Sequence, residues 1–376
     1  MTLAQARRHP LPAFFLLALG VTLIVAAWST SMAVAAGSPG AVYALTNGLA
    51  GNAVAVFDRA ADGTLTAAGT VPTGGTGTGG GLGNQGALAL SDNGRRLYAV
   101  NPGSDSVTAF AVGAGGLTSL GTVSSGGVRP VSVTANGGLV YILNAGNGIA
   151  SGSISGFTTN AQGALTPLAG STQPLSAAAV DPAQVGFSPD GTTLVVTEKA
   201  TNRVVTYAVG ADGLPSGPTT HASSGATPFG FAFDKRGTLL VSEAFGGAAS
   251  ALSSYDVGGF STISGSIATP GERAACWVVT TKNGRFAYTT NTGSGTVSAY
   301  GIGQDGSLSL RAGVAGTTGG APIDAALSGN SQFLYVLNAS THRIDAFGVN
   351  SDGSLTALPA AGVTGLPAGA TGLVAR

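Results

Sequence analysis

Two glutamates stand out among the residues that could do chemistry. Glu198 and Glu243 each end a short apolar run, LVVTE and LLVSE, and five related runs end instead in Asn47, Asn101, Asn144, Asn291 and Asn338. Asn suits a hairpin turn because it tolerates left-handed backbone and bonds its own chain. Glu has no such use in a turn and is a poor strand former, so a pair of carboxylates points to a general base or a cation-holding group. The alternative is a solvated rim, with Glu198 paired to Lys199 or Arg203 and Glu243 facing water. Arg273 can orient an anionic or carbonyl group, or it can pair with its neighbour Glu272 on the surface. Trp277 and Phe229 offer rings for stacking or for plugging a channel, and Gln184, Asp324 and Asn291 offer polar contacts to a bound ligand.

Other chemistries find no residues. The three histidines, His9, His221 and His342, lie far apart in the repeat pattern, so neither a histidine metal site nor a Ser-His-Asp triad is assembled, and no cofactor is expected. GGTGTGG at 74–80 has the GxGxxG spacing, but no helix follows it and it reads as a flexible link. The single cysteine, Cys276, cannot form an internal disulfide.

The elements that would position these groups are repeats. VYALTN, LYAVN, VYILN, LVVTE, LLVSE, FAYTTN and LYVLN end at 47, 101, 144, 198, 243, 291 and 338, a period of about 48 residues, which suits a four-stranded propeller blade. Ahead of each from the second repeat onward comes a strand of small residues, such as PAQVGF or PFGFAF, read as the innermost strand where blades converge. After each comes an alternating strand ending in Phe or Tyr, then in most repeats a Gly-containing turn, often Asp-Gly, whose glycine supplies the positive φ of a tight hairpin. Seven second strands meet only six inner strands. The missing one is expected in PAGATGLVAR at 367–376, so that the C-terminal strand completes blade 1 and closes an all-β, seven-bladed propeller. On this geometry the seven marker residues form a ring on one face of the disc, beside the channel mouth.

Composition agrees. The chain has 376 residues, 62 of them Gly, and 16 basic against 16 acidic side chains. Recurrent Val, Leu, Phe and Tyr runs argue against disorder, and zero net charge removes an electrostatic reason to bind nucleic acid or an anionic membrane. Residues 1–36 carry Arg7 and Arg8, an apolar run from Leu11 to Trp28, and small residues at Ala33, Ala35 and Ala36. This is the layout of a secretory signal, and the run is also just long enough for an uncleaved anchor. The expectation is a secreted or periplasmic monomer, with residues 37–376 as the propeller.

FSPDGTTLVVTEKATNRVVTY (187–207), FAFDKRGTLLVSEA (231–244) and NGRFAYTTNTGSGTVSAY (283–300) resemble the Tyr-Val-Thr-Asn repeats of the seven-bladed lactonase-like propellers. That family includes propeller-type 6-phosphogluconolactonases and carboxymuconate lactonizing enzymes. The resemblance implies a small-molecule lactone ligand and a glutamate where Glu243 stands; Glu198 and Arg273 are further catalytic candidates from the reading of the residues themselves. It also implies a His where Gln184 stands, an Arg-His pair where Thr227 and Phe229 stand, and an Arg where Thr292 follows Asn291. Without those cations a phosphorylated substrate would go unheld. The expected activity is therefore hydrolysis, or formation in the manner of a carboxymuconate cyclase, of a lactone or related cyclic ester, with a non-catalytic secreted or cell-surface binding propeller as the alternative.

Overall fold

The computed structural model describes residues 40–359 and 361–376. The expected signal segment lies outside the described residues. Seven antiparallel sheets follow one another in chain order, six of them with strand 1 nearest the axis and strand 4 at the rim. Blade 4 is representative: Pro182–Phe187, Thr193–Glu198, Arg203–Val209 and Pro215–Ala222 pair in sequence order. In blades 3 and 7 the rim strand is broken into two short pieces, Leu165–Pro167 with Gln173–Pro174, and Leu355–Ala357 with Val363–Thr364. The first blade takes its inner strand from the far end of the chain. Thr371–Ala375 pairs antiparallel with Gly40–Leu45, placing Val374 opposite Tyr43 and Leu373 opposite Ala44. The ring is thus closed by the C-terminal strand, and no inner edge is left open at the seam.

Alternation along the second strands sends apolar side chains into the two spaces between neighbouring blades. Leu97, Val140, Leu194, Leu239 and Leu334 are fully buried there. The tyrosines of the repeated motif do a further job: Tyr141, Tyr288 and Tyr335 hydroxyls donate to the carbonyls of Gly213, Gly353 and Gly63 in the outer turn of the next blade, at 2.6, 2.9 and 2.8 Å. Tyr335 makes this link from blade 7 to blade 1, across the seam. Gly353 must be glycine twice over, since its φ is 85° and a Cβ would collide with the Phe286 ring.

The start of the inner strands carries the device that matters for the site. A bulge lies near the start of each inner strand of blades 3 to 7, between Pro130 and Ser132, Pro182 and Gln184, Pro228 and Phe231, Ala275 and Trp277, and Pro322 and Asp324. In blades 3, 4 and 7 the side chain of the residue after the bulge accepts a backbone N–H of the next blade. Ser132 Oγ accepts from Val185 N at 3.2 Å, Gln184 Oε1 from Phe231 N at 2.6 Å, and Asp324 Oδ2 from Leu373 N at 3.1 Å. These bonds form an axial belt that ties blade to blade where only small spaces remain.

Candidate functional site

The upper face of the disc is defined here as the one carrying the turns after the second strands. On it the marker residues are not an open ring. Asn47, Asn101, Asn144, Glu198, Glu243, Asn291 and Asn338 have no exposed surface. Of the asparagines only Asn47 has the left-handed backbone expected of a turn, with φ 51°. The others sit at strand ends and point outward to the third strand of their own blade: Asn101 Nδ2 donates to Thr108 Oγ1 at 2.9 Å, Asn144 Nδ2 to Ser155 Oγ at 3.0 Å, and Asn291 Nδ2 to Ser298 Oγ at 2.7 Å. Their role is structural, but it comes from the amide side chain and not from backbone tolerance.

The two glutamates occupy the same position and hold more. Glu198 accepts from Ser176 N at 2.9 Å, from the Ser176 hydroxyl and from Thr201 Oγ1 at 3.0 Å. It does not pair with Lys199, which instead meets Asp181 at 3.2 Å. Glu243 Oε1 accepts from Gly225 N at 2.8 Å and Ser253 Oγ at 2.5 Å, while its Oε2 has no donor. Both carboxylates therefore clamp the loop that leads into their own blade. Glu243→Ala would strand a buried N–H and a buried hydroxyl and leave a cavity, so a loss of about 2–4 kcal/mol is expected. Glu243→Gln keeps the acceptor and should cost about 1 kcal/mol. Thermal melts of the two variants check the ordering, and equal melting temperatures would contradict the clamp.

Arg273 is exposed and donates from Nη2 to Gly293 O at 3.0 Å, while Glu272 is engaged by the Thr296 hydroxyl. No ion pair joins these neighbours among the described residues. The Phe229 and Trp277 rings pack at a tilt of 45° with centroids 5.1 Å apart and are 8% and 4% exposed, with the Lys199 ammonium 4.7 Å from the Phe229 ring. Cys276 lies in the same buried cluster, and burial pushes its thiol up to about 11, so it is an unreactive packing residue. Phe229, Trp277 and Cys276 thus form a buried cluster, while Arg273 stands apart from it on the surface.

Below the belt the axis is open. A cavity of about 350 Å³ is lined by inner-strand residues, among them Gln85, Thr134, Gln184, Phe231 and Asp324. Two of the expected ligand-binding residues, Gln184 and Asp324, are thus brought together, whereas Glu198, Glu243, Arg273 and Asn291 are not part of this wall. Gln184 Nε2 is engaged by Phe231 O at 3.0 Å. Thr134 Oγ1 accepts from Phe187 N at 3.3 Å, which leaves its hydroxyl proton for a ligand. Asp324 is 2% exposed, and burial pushes its carboxyl well above the usual carboxylate range, against the pull of the Ala325, Leu373 and Gly372 N–H groups. Among the described residues no cationic side chain lines the cavity. No group of three or more potential metal ligands occurs among the described residues. Sequence reasoning missed Gln85 and Thr134. The polar pair Asn84-Gln85, placed just before a strand of small residues, was the available signal.

The model of the family described as lactonase, seven-bladed β-propeller, matches residues 42–173, 150–244 and 247–364. No curated protein matches the chain. Among solved structures, a Lactobacillus plantarum protein is 21% identical, with TM-score 0.71 over 90% of this chain and 99% of its own. A candidate 6-phosphogluconolactonase from Bacteroides fragilis is 20% identical, with TM-score 0.69 over 90% and 98%. The periplasmic gluconolactonase of Pseudomonas aeruginosa is 18% identical, with TM-score 0.66 over 88% and 98%. At these identities the likeness to solved structures is one of fold.

Proposed function

The chain belongs to the seven-bladed β-propeller lactonase family, and from that premise we propose that it hydrolyses a small uncharged lactone held in the axial cavity, with Asp324 transferring the proton. The observation that carries this reading is a chamber, large enough for a six-membered ring, whose wall holds both a shifted carboxyl and a hydroxyl with its proton to donate. Water adds to the lactone carbonyl as the Asp324 carboxylate takes its proton, and Thr134 Oγ1 donates to the carbonyl oxygen as negative charge develops there. The ring C–O bond then breaks, Asp324 returns the proton to the leaving oxygen, and the product is a hydroxy acid. The lack of a cationic wall supports an uncharged substrate over a phosphorylated one.

A binding propeller without catalysis is the second reading, favoured by the use of Glu198 and Glu243 as loop clamps. A panel of neutral lactones, including glucono-δ-lactone and δ-valerolactone, separates the two. Thr134→Val should lower kcat/KM by about tenfold to a hundredfold, while Glu198→Gln and Glu243→Gln should leave it nearly unchanged. Turnover lost in Glu243→Gln but kept in Thr134→Val would move the site to the upper face, with Glu243 as base and Arg273 on the carbonyl. No turnover by any form would favour the binding reading. Export is part of the same proposal, supported by the composition of residues 1–36.

A further inference from the structure

Residues 73–87, between the rim strand of blade 1 and the inner strand of blade 2, are tied down along their length. Gly77 N and Gly79 N donate to Gly48 O and Asn47 O at 2.8 Å, and Asn47 Nδ2 donates to Gly80 O at 2.6 Å. Gly103 N of blade 2 donates to Thr76 O at 2.9 Å. Lys199 of blade 4 donates to Gly83 O at 2.7 Å, and Asn84 Nδ2 donates to Val131 O of blade 3. The glycines are needed for this close approach, since a Cβ on Gly77 would collide with the Asn47 carbonyl and one on Gly75 would lie 2.5 Å from the Asn101 side chain.

Gln85 then crosses the axis. Its N–H donates to Ala183 O of blade 4 at 3.1 Å, its Nε2 donates to Val278 O of blade 6 at 3.1 Å, and its Oε1 accepts from Val278 N at 3.2 Å. The side chain fills the place that an axial residue of blade 5 would take, and that residue is Gly230, where a Cβ would collide with Gln85 Oε1. Exposure rises toward the lower end of the axial face: Ala87, Ser132 and Gly230 are buried, while Ala89, Thr134 and Ala232, two residues further down on the same face, are partly exposed.

We propose that this strap closes the axial chamber on the upper face, that Gln85 is the closing residue, and that a ligand enters from the lower face. The proposal takes the chamber as the site of lactone chemistry, but its test does not depend on hydrolysis. In a Cys276→Ser background, Thr134→Cys places the only thiol on the chamber wall, and N-ethylmaleimide labelling is followed by mass spectrometry. Labelling is expected with the strap intact, at a rate that adding Gln85→Ala leaves within about threefold. Absence of labelling with the strap intact, or acceleration of about tenfold or more by Gln85→Ala, would place the entrance on the upper face and overturn the proposal. Val374→Cys, on the same chamber, is the second reporter should Thr134→Cys not fold. Because the readout is a thiol modification, an inert protein in lactone assays leaves this result standing, and the reverse holds equally.

Discussion

Deletion of residues 367–376 is expected to yield a chain that aggregates or fails to accumulate. The lost segment supplies the inner strand of blade 1, and with it go the ladder to Gly40–Leu45, the burial of Leu373 at 4% exposure, and the bond from Leu373 N to Asp324. The Arg59 guanidinium also loses its contact with Arg376 O at 3.0 Å. Full burial of one leucine is worth about 1.5–3 kcal/mol, and a backbone hydrogen bond adds about 0.5–1.5 kcal/mol. Several such terms together match much of the roughly 5–15 kcal/mol that holds a domain folded. The exposed edge of Gly40–Leu45, an apolar strand with no charge on it, would then be free to pair with another chain. Size-exclusion chromatography and a thermal melt test this. A monomer that melts with the full-length chain would contradict closure by the C-terminal strand.

Asp324→Asn should have the second-largest effect, and its dependence on pH gives the mechanism away. The native carboxyl is raised by burial, whereas in the unfolded chain it titrates near the ordinary value of about 3.9. Between those two values the native state binds more protons than the unfolded one, so this group's contribution to stability falls as pH rises through the window. The wild-type advantage in melting temperature over Asp324→Asn is therefore expected to be widest in mild acid and to shrink toward neutral and alkaline pH. Hydrolysis by the variant should fall by about a hundredfold or more, the usual worth of a positioned proton-transfer group. A melting difference that does not vary with pH, together with unchanged kcat/KM, would assign Asp324 to the seam alone.

The architecture was legible because it is written as a repeat. The Tyr-rich second strands, the strands of small residues before them and the surplus strand at 367–376 led directly to seven blades and their closure. The same repeat hid the direction of the marker side chains. A residue ending a strand beside an axis can point inward or outward, and spacing alone does not separate the two. Glu243 turned outward because Ser253 and Gly225 N offer donors there. Glu198 and Asn101 are aimed outward for the same reason.

The segment at 74–80 was misread for a different cause. Glycines in a sequence suggest freedom, but with carbonyls and side chains pressed against them these are the condition for close packing. Gln184 and Asp324 line the axial cavity. Their use in bonding the next blade could not be read from one chain segment, since each partner lies about 47 to 49 residues further on.

The most direct test of the account is a crystal structure of the propeller soaked with glucono-δ-lactone, using Asp324→Asn to slow turnover. Lactone or its hydroxy acid is expected in the axial chamber, with the carbonyl oxygen within hydrogen-bond reach of Thr134 Oγ1 and residue 324 beside the reacting carbon. Density for the lactone on the upper face against Glu243 and Arg273, with the chamber holding only solvent, would contradict it.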